Sequence, residues 1–363
     1  MRNKYSRGEG SSTLSLISQS GASSLESLQG QDKLQDNMCQ LIHASLAAGT
    51  WSKYASGWRA FEAYQAFVAK RFSWPLSKDT LRGFAVYCAT VRKLKPASIR
   101  SYLSSLVCLH KIRGFHNYEV KDSLVGTILK GAENLSMCSP IPVSNTRRVM
   151  TMPLLRHLGQ KLRQTGWSKS TQRSIWTASL VGFFATARMG ELLAPTENSF
   201  DPSATLTWSC VQYRQDHSFL IHIRLPKSGS KEGEFIDLFP FPEAGLCPVQ
   251  ALLNHYKSQK RMGRGRPQDP VFTYESGKLL TTAGLNSVFR SLFADICDFK
   301  RDTISCHSLR AGIPSALAKF PDLLSSDDVK GWGRWCSEAY SRYTRLKVDQ
   351  KREIFMRIIT ALV

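Results

Sequence analysis

Residues 175–193 read IWTASLVGFFATARMGELL, a run that is apolar on nearly every side and closes on a charged pair. A helix with no polar stripe has no face to offer water and belongs in the middle of a domain. The run therefore predicts a central helix from Ile175 through Leu193, with the rest of its domain packed around it. At its end stands Ala187-Arg188-Met189-Gly190-Glu191-Leu192. Arg188 and Glu191 are spaced to pair on a helix, which contributes only a few tenths of a kcal/mol. A guanidinium beside Phe183, Phe184 and Ala187 is nonetheless in costly surroundings unless an anion meets it. Arg188 is thus a candidate anion-binding group, with Glu191 as its support.

Downstream of this helix the period changes. Phe219, Ile221, Ile223 and Leu225 alternate with polar neighbours, Pro226-Lys227-Ser228-Gly229-Ser230 reads as a turn, and Phe235-Ile236-Asp237-Leu238-Phe239 returns as a second strand. Lysines in such turns are usually solvated, so Lys227 carries no weight alone, and Lys231 competes with it. From Pro248 onward the pattern is helical again. His307-Ser308-Leu309-Arg310 puts an imidazole and a guanidinium on one helical face, in reach of one phosphate. His110-Lys111-Ile112-Arg113 has the same spacing but continues an apolar stripe, and it is assigned to structure. Gly333-Arg334-Trp335-Cys336-Ser337 follows, then Tyr340-Ser341-Arg342-Tyr343-Thr344-Arg345. Taken singly, Trp335 and Tyr340 would be core aromatics.

Upstream, Leu154, Leu155, Leu158 and Leu162 mark a helix, and residues 136–150, rich in Pro, Ser and Arg, read as a linker. Residues 38–135 are helical. Trp51, Tyr54, Trp58, Phe61 and Tyr64 recur at helical spacing, and a second helix starts after Pro96 with Ile99, Tyr102, Leu103, Leu106, Val107 and His110 on its apolar face. Its other face, with Lys95, Ser98, Arg100, Ser101, Ser104 and Ser105, offers cations and short hydroxyls of the kind that hold phosphate oxygens, though a merely solvated face would look the same. Residues 1–37, rich in Ser, Gly and Gln, read as a disordered tail.

The formal charge is +21 over 363 residues, 42% of them hydrophobic. A surplus of that size in a chain able to bury a core points to a polyanion, nucleic acid ahead of a membrane surface. No basic amphipathic anchor with an aromatic face supports the membrane. Nine cysteines without C-x-x-C spacing indicate neither a zinc site nor a redox motif, and read as free thiols in a reducing compartment. No secretory leader or long apolar run is visible, so a soluble intracellular protein is expected.

The order Arg188, Lys227, His307, Arg310, Trp335, Tyr343 resembles the catalytic box of the tyrosine recombinase (phage-integrase-like) family, and the resemblance spans about residues 38–350. The wording Gly333-Arg334-Trp335-Cys336-Ser337-Glu338-Ala339 ahead of Tyr-x-Arg looks most like recombinases of eukaryotic mobile elements, the DIRS and Crypton groups. Ile99-Arg100-Ser101-Tyr102-Leu103 resembles their helical core-binding domain. One position departs: where the family spacing calls for His or Trp, this chain has Arg334, with Trp335 one residue further on.

The resemblance implies a mostly α protein with a small three-stranded antiparallel sheet, a core-binding domain over 38–135 and a catalytic domain over 151–363. It implies a site-specific recombinase or integrase acting on double-stranded DNA through a 3′-phosphotyrosine at Tyr343, with Tyr340 as the competing nucleophile. No cofactor and no metal are implied. A homotetramer on DNA is, with the helix Val348 to Leu362 docking on a neighbouring protomer, and residence in the nucleus if the host is eukaryotic. A non-catalytic DNA-binding protein derived from such an element, and a type IB topoisomerase, stay open as alternatives.

Overall fold

The chain folds as two units, residues 1–143 and 144–363, and the computed structural model describes residues 28–46, 48–115, 122–138, 148–227, 230–294, 296, 304–317, 324–333 and 348–362. The first unit is helical: α1 (Leu28–Ala44), α2 (Ala48–Phe67), α3 (Lys78–Thr90), α4 (Pro96–Ile112) and α5 (Ser123–Cys138). α1 begins within the stretch read as a disordered tail. Its apolar residues are few and outward, with Leu34, Met38 and Leu41 all exposed, so no buried stripe announced it. α2 and α4 follow their apolar periods and pack on each other. Phe61, Phe84, Ile99 and Leu106 are wholly buried between helices, and the rings of Phe61 and Phe84 meet edge to face at 5.4 Å.

His110 is structural, as its place in the apolar stripe suggested. Its Nδ1 donates to the Leu106 carbonyl at 2.7 Å, and its Nε2 accepts the Leu76 N–H at 2.9 Å. Burial holds its pKa below the ordinary histidine value, which suits that neutral tautomer. Lys95, Ser98, Arg100, Ser101 and Ser104 lie on the exposed face of α4 and its N-terminal cap, but Ser105, read as part of that face, is buried against Gly57 of α2 and donates to the Tyr102 carbonyl.

The second unit is built around α7 (Lys169–Phe184), preceded by α6 (Met152–Gln164). From Ser174 to Phe184 every α7 residue except Trp176 is buried, which is the centrality that its composition demands. The predicted span to Leu193 does not hold. α7 stops at Phe184, and a separate turn of helix, α8 (Met189–Leu192), starts after Arg188. The break is a Schellman closure: the Thr186 N–H donates to the Phe183 carbonyl and the Ala187 N–H to the Gly182 carbonyl. The left-handed position is filled by Thr186 at φ 45°, where glycine is usual, so no punctuation residue marks the stop.

Three antiparallel strands follow, β1 (Val211–Tyr213), β2 (Phe219–Ile223) and β3 (Glu234–Leu238), with β2 in the centre and Ile221 opposite both Val211 and Ile236. Phe219, Ile221 and Ile223 face the core as their alternation requires. Leu225, read as the fourth member of that strand, lies beyond its end and is 63% exposed. The remaining helices are α9 (Pro248–Arg261), α10 (Thr282–Leu292), α11 (Cys306–Leu317), α12 (Ser326–Gly333) and α13 (Val348–Leu362).

In the single chain α13 packs on its own unit. Ile354, Phe355 and Ile358 are buried in the core of their own unit, where Phe355 packs on Trp332, Phe239 and Phe184. Buried Asp237 of β3 accepts from Arg214 at 2.6 Å and from Lys351 of α13, and Asp216 accepts from Arg352. An apolar stripe with two cations on its flank finds its complement within the same chain.

Candidate active site

The candidate site lies where α7 ends. Because the Schellman closure turns the chain back, Arg188 leaves the helix and caps α8, its side chain 31% exposed. The Arg188 Nη1 donates to Glu191 Oε1 at 3.1 Å, and the Glu191 carboxylate is almost wholly buried. The same oxygen accepts the backbone N–H of Lys227 at 3.0 Å. One carboxylate therefore orients the arginine and pins the turn that carries Lys227. The ammonium of that residue is left in the open, since Lys227 is exposed. Lys231 is exposed further along the same connection.

Arg310 arrives from α11. That helix crosses α7 closely because Gly312 presents no Cβ: one built there would lie 2.2 Å from the Phe183 ring and 2.8 Å from the Met150 carbonyl. The crossing sets Arg310, 5% exposed, against the end of α7. Its Nη1 donates to the Thr186 carbonyl at 2.8 Å and its Nη2 to the Gly333 carbonyl at 2.9 Å. The left-handed turn at Thr186 thus does two things: it releases Arg188 from α7 and aims a carbonyl at Arg310. His307, in the first turn of α11, is exposed.

Arg188, Glu191 and the Lys227 turn are joined by two hydrogen bonds, and two others tie Arg310 to the Thr186 and Gly333 carbonyls at the same end of α7. Arg334, Trp335, Tyr340 and Tyr343 lie outside the described residues. The segment that holds them follows directly on Gly333, whose carbonyl is bonded to Arg310. Thr186 carried no sequence signal, because it acts through its backbone, and Gly333, quoted only as the start of a motif, acts through its carbonyl too. Among the described residues there is no group of three or more His, Cys, Asp or Glu side chains that could hold a metal ion, and no helix long and apolar enough to cross a membrane.

Two guanidinium groups, one buried and one half-buried, with a lysine on an adjacent turn and an imidazole one helical turn from the buried arginine, can hold the non-bridging oxygens of a phosphodiester and exchange protons with it. No protein-family model and no curated protein sequence matches the chain. Solved structures do. The XerH site-specific recombinase bound to palindromic difH substrate, in a post-cleavage complex, shares 14% identity at a TM-score of 0.51, over 84% of this chain and 79% of that one. A lambda integrase dimer bound to a COC' core site shares 12% at 0.51, over 93% and 89%. The Tn1549 transposon integrase in complex with transposon right end DNA shares 14% at 0.52, over 88% and 98%. Mostly helical, with one small antiparallel sheet, the chain has the fold of the tyrosine recombinases.

Proposed function

We propose that this chain is a site-specific DNA recombinase that cleaves and rejoins duplex DNA through a covalent 3′-phosphotyrosine, with Tyr343 as nucleophile. The observation that supports the reading is that the Arg188–Glu191–Lys227 network and the Arg310 guanidinium both lie at the end of α7. In this reading the described residues carry every role except those of the tyrosine and of Arg334 or Trp335. Arg188 and Arg310 clamp the oxygens that gain charge in the transition state. Free tyrosine has a pKa near 10, so Tyr343 attacks as its proton passes to a base, and His307 takes it. Lys227 protonates the departing 5′-oxygen. Arg334 or Trp335 adds a further phosphate contact, Trp335 only through its indole N–H. The bond energy is kept in the phosphotyrosine, so the reaction needs neither ATP nor metal. DNA-bound neighbours of the same fold support duplex DNA as partner, and the exposed face of α4, with Lys95, Ser98, Arg100 and Ser101, is a second place for phosphates. Origin in a mobile element, action as a tetramer and nuclear residence complete the reading.

A nicked suicide duplex tests it. Tyr343→Phe should abolish covalent attachment and leave DNA binding unchanged, because only the nucleophilic oxygen is lost. An adduct mapped to Tyr340 would move the nucleophile, and wild-type binding without any adduct would leave a DNA-binding protein. Lys227→Ala should slow cleavage by roughly 10²–10⁴-fold, and a 5′-bridging sulfur should rescue it, since a thiolate leaves unprotonated. If Lys231→Ala behaves so instead, the acid is Lys231.

A further inference from the structure

A second concentration of positive charge in the catalytic unit lies at the opposite end of α7 from the candidate site. Three hydrogen bonds assemble that end. Gln172 of α7 donates to the Trp167 carbonyl at 2.9 Å and to the Thr165 carbonyl at 3.2 Å, folding the end of α6 against the start of α7. Arg173 of α7 donates to Ser258 of α9 at 3.3 Å. Nearer the candidate site, Thr177 of α7 reaches the Ala251 carbonyl, so α9 runs antiparallel to α7 and its C-terminus lies beside the N-terminus of α7. Arg163, Lys169, Arg173, Lys257, Lys260 and Arg261 therefore gather at this end of the unit, on the three helix ends that meet there.

All six are exposed, and none of them forms an ion pair among the described residues. The sequence explains why. It contains no Asp or Glu between Glu133 and Glu191, and none between Glu243 and Asp269. Surface lysines are ordinarily interspersed with carboxylates; here both contributing segments lack them entirely. Glu275 borders this end, since its N–H donates to Thr171 of α7 at 3.2 Å, and a single carboxylate leaves most of the charge uncompensated.

We propose that this basic end binds a second stretch of duplex DNA through its phosphates, separately from the duplex held at the candidate site. The proposal takes from the functional reading only that the polyanion is DNA. α7 has 16 residues, so its two ends stand about 24 Å apart. One phosphate group cannot serve both ends, a single duplex spanning about 24 Å would, and capture of a second duplex separates the two cases. Duplex DNA presents one charge per about 1.7 Å of axis, so cations spread over three helix ends can each meet a phosphate. An acidic protein fits less well. Specific protein interfaces bury an apolar centre, and among the described residues the only large apolar side chain exposed at this end is Trp167.

The test uses the full chain bound to a bead-held duplex and asks whether it captures a second, labelled duplex of unrelated sequence. Wild type should do so. Lys257→Gln, Lys260→Gln and Arg261→Gln together should make the salt slope for the second duplex shallower by about 2 to 3, at about 0.9 per lost phosphate contact, and leave first-duplex binding as it was. Lys257→Arg, Lys260→Arg and Arg261→Lys together, which keep the charge, should restore capture. Equal capture by the glutamine variant would overturn the proposal while leaving the recombinase reading intact. Capture of poly-glutamate but not of DNA through the same three residues would also overturn it, in favour of an acidic protein. Failure of wild type to hold even the first duplex would sink both.

Discussion

Thr186 carries an unusual load for a residue without reactive chemistry. A β-branched side chain at positive φ is strained by about 1–3 kcal/mol, and its hydroxyl is buried without a hydrogen-bond partner. The return is the carbonyl that Arg310 uses and the release of Arg188. Substitution should reveal the strain by its order. Thr186→Ala keeps a Cβ at positive φ and loses both the methyl and the unsatisfied hydroxyl; Thr186→Gly removes the Cβ as well. The glycine variant should be the more stable by about 1 kcal/mol in urea unfolding, the reverse of the usual helix ranking. Glu191 makes a second prediction. Glu191→Ala frees both Arg188 and the Lys227 turn, and cleavage of the suicide duplex should fall by about 10²-fold, as expected when positioned groups lose their geometry. Glu191→Gln, which still accepts from the Lys227 N–H, should fall less.

At the level of elements, the contact between α7 and α11 sets Arg310 against the end of α7. Gly312→Ala should force the helices apart at Phe183 and Met150, costing about 1–3 kcal/mol of stability and lowering cleavage more than Lys231→Ala does. Comparing urea midpoints with single-turnover rates checks it. This contact also shows where the sequence stops being readable. Apolar periods located α2, α4, α6 and α7 because burial of one face or all faces leaves a repeating trace. The end of α7 left none, since threonine stands where glycine would have marked it. β1 is only three residues, too short to alternate visibly. The side chains of the site were readable by type and spacing. Their convergence was not, because it runs through the Thr186 carbonyl, 124 residues from Arg310 in the chain.

For the molecule as a whole, the stability of the second unit should depend on pH through His255. That ring is wholly buried between Trp208 and Phe272, and its Nε2 donates to the Val271 carbonyl at 2.7 Å. Burial drives its pKa down to about 4 from 6.5. A base depressed in the fold is protonated first in the unfolded chain, so acid favours unfolding: the contribution is complete above about pH 6.5 and is lost as pH falls toward 4. Between about pH 7.5 and pH 5 the loss should come to about 2 kcal/mol. His255→Asn should be less stable at neutral pH and flatter across that window. DNA binding should carry a steep salt dependence in keeping with the +21 charge; a slope of log K on log salt shallower than about −3 would contradict a chain that neutralises many phosphates.

The inward seat of α13 has a consequence for assembly. Every group that holds it, Asp237 and the Phe239–Trp332 surface among them, is present identically on a second copy. Trading the helix between copies would exchange like contacts for like, so enthalpy scarcely decides the outcome. Local concentration does. A tethered segment meets its own groove at an effective concentration on the order of millimolar, and a freely diffusing copy at micromolar levels competes at a disadvantage of about a thousandfold. Two copies seated side by side on one DNA molecule escape that disadvantage. Raising the protein concentration is then a weak way to drive the exchange, and co-occupancy of one DNA molecule a strong one.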